Sequence, residues 1–157
     1  MRKRIVGSAS GAPSATASRW LDLDLHAEVE VTSEDPEHPI ESALVADGGG
    51  GWRAGEGGVQ TIRLRFDEPR RVEHIRVVFD ERNAGRTQEF VLRWSAAAGD
   101  RDREIVRQQY TFSPSSTTRE VEDYTVELDD VAAIELEIVP DIGGGPARAS
   151  LAELRLM

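Results

Sequence analysis

The sequence predicts an all-β fold, a sandwich or a barrel, and three observations carry that expectation. Short runs in which apolar and polar residues alternate recur about every ten residues, the period-two pattern of strands with one buried face. Turn chemistry stands between the runs, as in Asp67-Glu68-Pro69-Arg70, Gly99-Asp100 and Ser113-Pro114-Ser115-Ser116. Helical spacing is confined to one short stretch, residues 39–45.

The elements follow in chain order. Residues 27–33 form the first core strand, with Ala27, Val29 and Val31 alternating against polar neighbours. Pro36 and Pro39 break it, and Pro39 then opens the short helix through Ile40, Ala43 and Leu44, which Asp47-Gly48 ends. A glycine-rich loop pinned by Trp52 leads into a strand at 61–66, where Ile62, Leu64 and Phe66 share a face. After the turn at 67–70, residues 72–79 present Ile75, Val77 and Phe79, and residues 88–96 present Phe90, Leu92 and Trp94. Strands at 104–112, 124–128 and 134–138 follow, and the last, 150–156, turns Leu154 and Leu156 inward. Ile62, Leu64, Phe66, Ile75, Val77, Phe90, Leu92, Trp94, Val126, Ile134, Leu136 and Leu154 are expected to form one core.

Length and composition bound the rest. The 157 residues make one domain, long enough to remove roughly two-thirds of the unfolded chain's surface from water. Asp and Glu number 29 against 19 Lys and Arg, a formal net charge of -10 that argues against general attraction to nucleic acid or anionic lipid. Cysteine is absent, which excludes disulfides, a thiolate nucleophile and a Cys-type zinc cluster. No apolar run is of transmembrane length, and the basic start Met1-Arg2-Lys3-Arg4 is followed by Ser, Ala, Gly and Pro rather than an apolar signal region. The expectation is a mobile arm over 1–19 and a sandwich domain over 20–157, with no membrane insertion, no secretion signal and a cytoplasmic location.

A short helix ending in Ala46-Asp47-Gly48, a loop to Trp52, and the Gln60-Thr61-Ile62-Arg63-Leu64 strand resemble the discoidin, or coagulation-factor C-type, domain and the carbohydrate-binding modules of the same galactose-binding-like fold. The closing Ala149-Ser150-Leu151-Ala152-Glu153-Leu154-Arg155-Leu156 is similar to that fold's last strand. Trp52-Arg53-Ala54 with Gly58 and Thr61-Ile62 also resembles the amino-terminal domain of the X-ray-repair scaffold protein. The resemblance implies an eight-stranded jelly-roll sandwich whose loops at one end bind a ligand, often a glycan. It also implies a structural calcium held in many members by an Asp, a Thr and a last-strand Glu. Asp47 and Glu153 match, but the Thr position is Gly51, so one oxygen ligand is missing from a site that wants at least six. No cofactor is expected, with calcium weak or absent and the two carboxylates solvated or paired with Arg.

The candidate ligand-binding residues are His38, Trp52, Arg53, Asn83, Arg86 and Gln88. Trp52 is read as a plug at one end of the sandwich or as a stacking face for a sugar. Arg53 offers a planar fork of donors to hydroxyls or carboxylates, or a salt bridge to an Asp or Glu. Asn83, Arg86 and Gln88 belong to a loop able to donate to and accept from hydroxyls, and His38 lies where the first loop approaches Trp52. Catalysis has little support. The three histidines are scattered, no HExxH or Gly-x-Ser-x-Gly occurs, and Glu122-Asp123, Asp129-Asp130 and Glu135/Glu137 read as solvated strand faces and turns. The expected function is a non-catalytic glycan-binding module, with a protein-interaction domain as the alternative and a small hydrolase using paired carboxylates as the second.

Overall fold

The computed structural model describes residues 20–45, 50–99 and 101–157, so the expected arm before Trp20, and Asp47, lie outside the described residues. The order is α1 (Leu23–His26), β1 (Ala27–Val31), α2 (Glu41–Leu44), β2 (Trp52–Arg53), β3 (Gln60–Asp80), β4 (Arg86–Ala96), β5 (Arg103–Phe112), β6 (Arg119–Val139), β7 (Ser150–Leu151) and β8 (Glu153–Leu156). The turn α1 was not expected as helix; the Asp22 carboxylate accepts from the Asp24 N–H at 3.1 Å and starts it.

Two long strands build the sandwich. β3 and β6 pair antiparallel along nearly their whole length, from Gln60 opposite Ile138 to Asp80 opposite Arg119. Their register breaks between Arg65 and His74, and Asp130 on β6 takes a left-handed φ of 58° there. At this break the paired strands fold over. Residues 60–65 of β3 therefore lie with β1, β4, β5 and the second half of β6, whereas residues 75–80 lie with β8 and the first half of β6. The two layers face each other across a common core, in which the Phe79 and Phe90 rings stand 5.0 Å apart.

This arrangement is a jelly-roll β-sandwich of eight strands. The turns expected at 67–70 and between 128 and 134 are bends inside continuous strands rather than ends of strands. The expected last strand is interrupted at Ala152: β7 pairs with β2 in a separate ribbon, and β8 joins β3. The interruption buries Leu151 along with Leu154 and Leu156. Of the expected core, Trp94 and Val126 are partly buried against the cluster and the rest are buried within it.

Candidate functional site

Strand direction decides what shares an end of the sandwich. β3 finishes at Asp80, β4 begins at Arg86 and β6 finishes at Val139, so loops 81–85 and 140–149 emerge together, opposite the bend. Loop 32–40 and the β2 ribbon join them there. Arg53 is clamped by its backbone: its N–H donates to His38 O at 3.1 Å, and its carbonyl accepts from Asp35 N–H at 2.9 Å. Ala54 N–H donates to Ala149 O at 2.9 Å. At Gly55 an added Cβ would stand 2.9 Å from Glu34 O, so the backbones of these loops approach too closely for a side chain there.

Beneath the loops lies a buried polar network. Arg86 Nε donates to Glu81 Oε1 at 2.9 Å, and its Nη1 donates to Pro140 O at 2.8 Å and to Gln88 Oε1 at 3.2 Å. Its Nη2 donates to Ser150 Oγ at 3.3 Å, and its guanidinium covers the Phe112 ring at 4.9 Å. Glu81 Oε2 accepts from Asn83 N–H at 3.2 Å and lies 3.8 Å from Arg53 Nη2. One charge pair thereby ties together the end of β3, the start of β4 and the 81–85 loop, with each side-chain nitrogen of Arg86 donating to protein.

Above this network opens a cleft of about 450 Å³ lined by His38, Arg53, Glu81, Asn83, Ala84, Pro146, Ala147 and Arg148. The structure thus brings together His38, Arg53 and Asn83 of the candidate residues. Trp52 is 1% exposed, with its indole N–H donating to Ser33 O at 3.1 Å, so neither ring face is open to a ligand. Arg86 and Gln88 are also buried, and Gln88 Nε2 donates to Glu120 Oε1 at 3.2 Å. These three side chains meet protein rather than the cleft. Glu81, Ala84, Pro146, Ala147 and Arg148 were not singled out from the sequence. The signal that could have found them is strand alternation, which sends the loop before the last strand to the same end as 81–85.

Charge around the cleft is uneven. Asp35 stands beside it with its carboxyl held below the usual range, first by the Glu37 N–H and then by His38 and Arg148. Its Oδ2 lies 3.5 Å from His38 Nδ1. Arg148 is exposed and, among the described residues, makes no hydrogen bond or ion pair. Glu153, the metal candidate within the described residues, is paired with Arg155 at 3.1 Å and lies 3.8 Å from Arg76. Among the described residues no group of three or more His, Asp or Glu is disposed to hold a metal ion. Glu135 and Glu137, expected as solvated, are half-buried and paired with Arg93 at 3.3 Å.

No known family matches the sequence, and no curated protein is significantly similar to it. Solved structures are similar in fold. The family 32 carbohydrate-binding module of Clostridium perfringens NanJ, solved with galactose, superposes with a TM-score of 0.61 at 18% identity over 87% of this chain and 96% of that one. The family 32 module of AlyQ, solved with 4,5-unsaturated mannuronic acid, gives 0.61 at 14% identity over 83% and 93%. The chain has the galactose-binding-like fold. XRCC1, solved in reduced form bound to the DNA polymerase β catalytic domain, has it too, with a TM-score of 0.57 at 14% identity over 84% of this chain and 97% of that one. On this galactose-binding-like sandwich, the cleft described above occupies the loop end rather than a sheet face.

Proposed function

We propose that the chain is a non-catalytic glycan-binding module whose ligand sits in the cleft between loops 32–40, 81–85 and 140–149. One observation carries the reading. Arg53, Arg148, His38 and Asn83 converge from separate loops on one concave surface, held by backbone clamps and by the Glu81–Arg86 pair. A polyhydroxyl ligand needs such a set of fixed donors. The similarity to modules solved with galactose and with an unsaturated mannuronic acid supports it.

Two features weigh against the alternatives. A glycosidase needs two carboxyl groups facing the scissile bond roughly 5–9.5 Å apart. Among the described residues Glu81 is the one carboxylate lining the cleft, with both its oxygens engaged by Arg86 and Asn83, and Asp35 beside it is engaged by the Glu37 N–H and His38. A protein-docking face calls for a contiguous apolar patch, whereas the large exposed apolar residues among those described are Val45, Val59, Val121 and Ile142, on separate elements.

A glycan array run with and without calcium tests the proposal. Binding by the parent that falls in Asn83→Ala and His38→Ala, with unchanged melting temperature, supports it. Absence of binding to every glycan contradicts it.

A further inference from the structure

Resting on that reading, the distribution of engaged and unengaged cations narrows the ligand class. Most arginines on the strands carry carboxylate partners, Arg70 and Arg103 excepted: Arg65 pairs with Glu30 at 2.6 Å, Arg107 with Glu89 at 2.7 Å, and Arg63 and Arg93 with Glu135 at 3.3 Å. In the cleft such pairing is weaker. Arg148 makes no hydrogen bond or ion pair among the described residues, and Arg53 donates none from its side chain, standing 3.8 Å from Glu81 Oε2. Glu81 itself is neutralised from below by the fully buried Arg86. A chain with a formal net charge of -10 thus leaves two guanidiniums with open donors on one concave surface. Among the described residues Asp35 is the acidic neighbour; its carboxylate accepts from the Glu37 N–H, faces His38 and feels the Arg148 charge without an ion pair to it.

The walls point the same way. Among the described residues no Trp, Tyr or Phe side chain lines the cleft, and Trp52 is buried beneath it. A neutral sugar held by its apolar face would need such a ring, whereas a carboxylate needs a fork of cationic donors. We infer that the cleft takes an acidic glycan, with the sugar carboxylate held by Arg53 and Arg148 and its hydroxyls facing Asn83 and His38.

The test is calorimetric titration of the parent, Arg53→Ala and Arg148→Ala with three probes: oligogalacturonate, its methyl-esterified form, and a neutral galactose oligomer. The inference expects binding of the free acid alone, weakening as salt is raised, and a loss of roughly tenfold or more in each variant. Arg148→Lys should keep part of the affinity, since it restores charge without the fork. Equal binding of the ester or the neutral oligomer, or full affinity in Arg148→Ala, overturns the acidic class while leaving a glycan module standing. No binding of any of the three, together with an array blank for uronate- and sialate-bearing glycans as well as neutral ones, overturns the glycan reading itself. An array on which only neutral glycans bind overturns the acidic class alone.

Discussion

Arg53 and Arg86 both approach Glu81, at 3.8 Å and 2.9 Å, yet from opposite surroundings, one open to the cleft and the other buried. Arg86→Ala leaves the 4%-exposed Glu81 as an uncompensated buried charge, so a loss of about 3–5 kcal/mol in urea unfolding is expected. Arg53→Ala removes a half-exposed group whose carboxylate contact is long, and stability should fall by under about 1 kcal/mol while ligand binding suffers. A second buried carboxylate sets a pH dependence. Glu120 is 1% exposed, its Oε2 has no partner among the described residues, and its carboxyl is pushed up to about 7, first by burial and then by Glu122 alongside. The folded chain therefore keeps a proton that the unfolded chain, titrating near 4.5, gives up. Stability from this group is present below about pH 4.5 and is lost as pH rises to about 7, and Glu120→Gln should flatten that fall in melts taken from pH 5 to 8. A steeper fall in the variant would refute the assignment.

At the scale of elements, the backbone requires glycine at position 51, where the resemblance to discoidin-like sequences leads one to expect a Thr. The φ of Gly51 is 79°, and a Cβ would stand 2.5 Å from Leu151 O and 2.9 Å from Ala152 Cα, where β7 pairs with β2. Gly51→Thr should lower stability by about 2 kcal/mol or more, and calcium should not restore the melting temperature. The bend is the other element-level device. Asp130 holds φ at 58°, a conformation a β-branched residue tolerates poorly, so Asp130→Val should cost about 1–2 kcal/mol in the same assay and Asp130→Asn little. The same bend shows why the sequence divided β3 and β6. Pro69 and the charged residues around it carry turn chemistry, and local chemistry cannot reveal that two strands distant in sequence keep pairing on both sides of the interruption. The alternation of Ile62, Leu64, Ile134 and Leu136, by contrast, was legible because burial of one face writes itself into the residues directly.

For the whole molecule, the layered fold was readable from period-two alternation and turn spacing, and the candidate site only in part. His38, Arg53 and Asn83 stood out as polar residues in loops, and those loops do meet at one end. Arg86 and Gln88 carry the same chemistry but open β4, where alternation turns both side chains inward; a sequence shows a donor without showing which way it faces. Arg148 escaped notice because its loop comes long after the others and reaches the cleft only through the fold.

The central claim, that this loop end is the binding surface, is tested most directly by titrating isotope-labelled protein with a glycan that it binds and following backbone amide shifts. The account predicts perturbations concentrated in residues 35–38, 53–55, 81–85 and 146–149. Shifts centred instead on the opposite end, around residues 67–72, or spread over an outer sheet face, would contradict it.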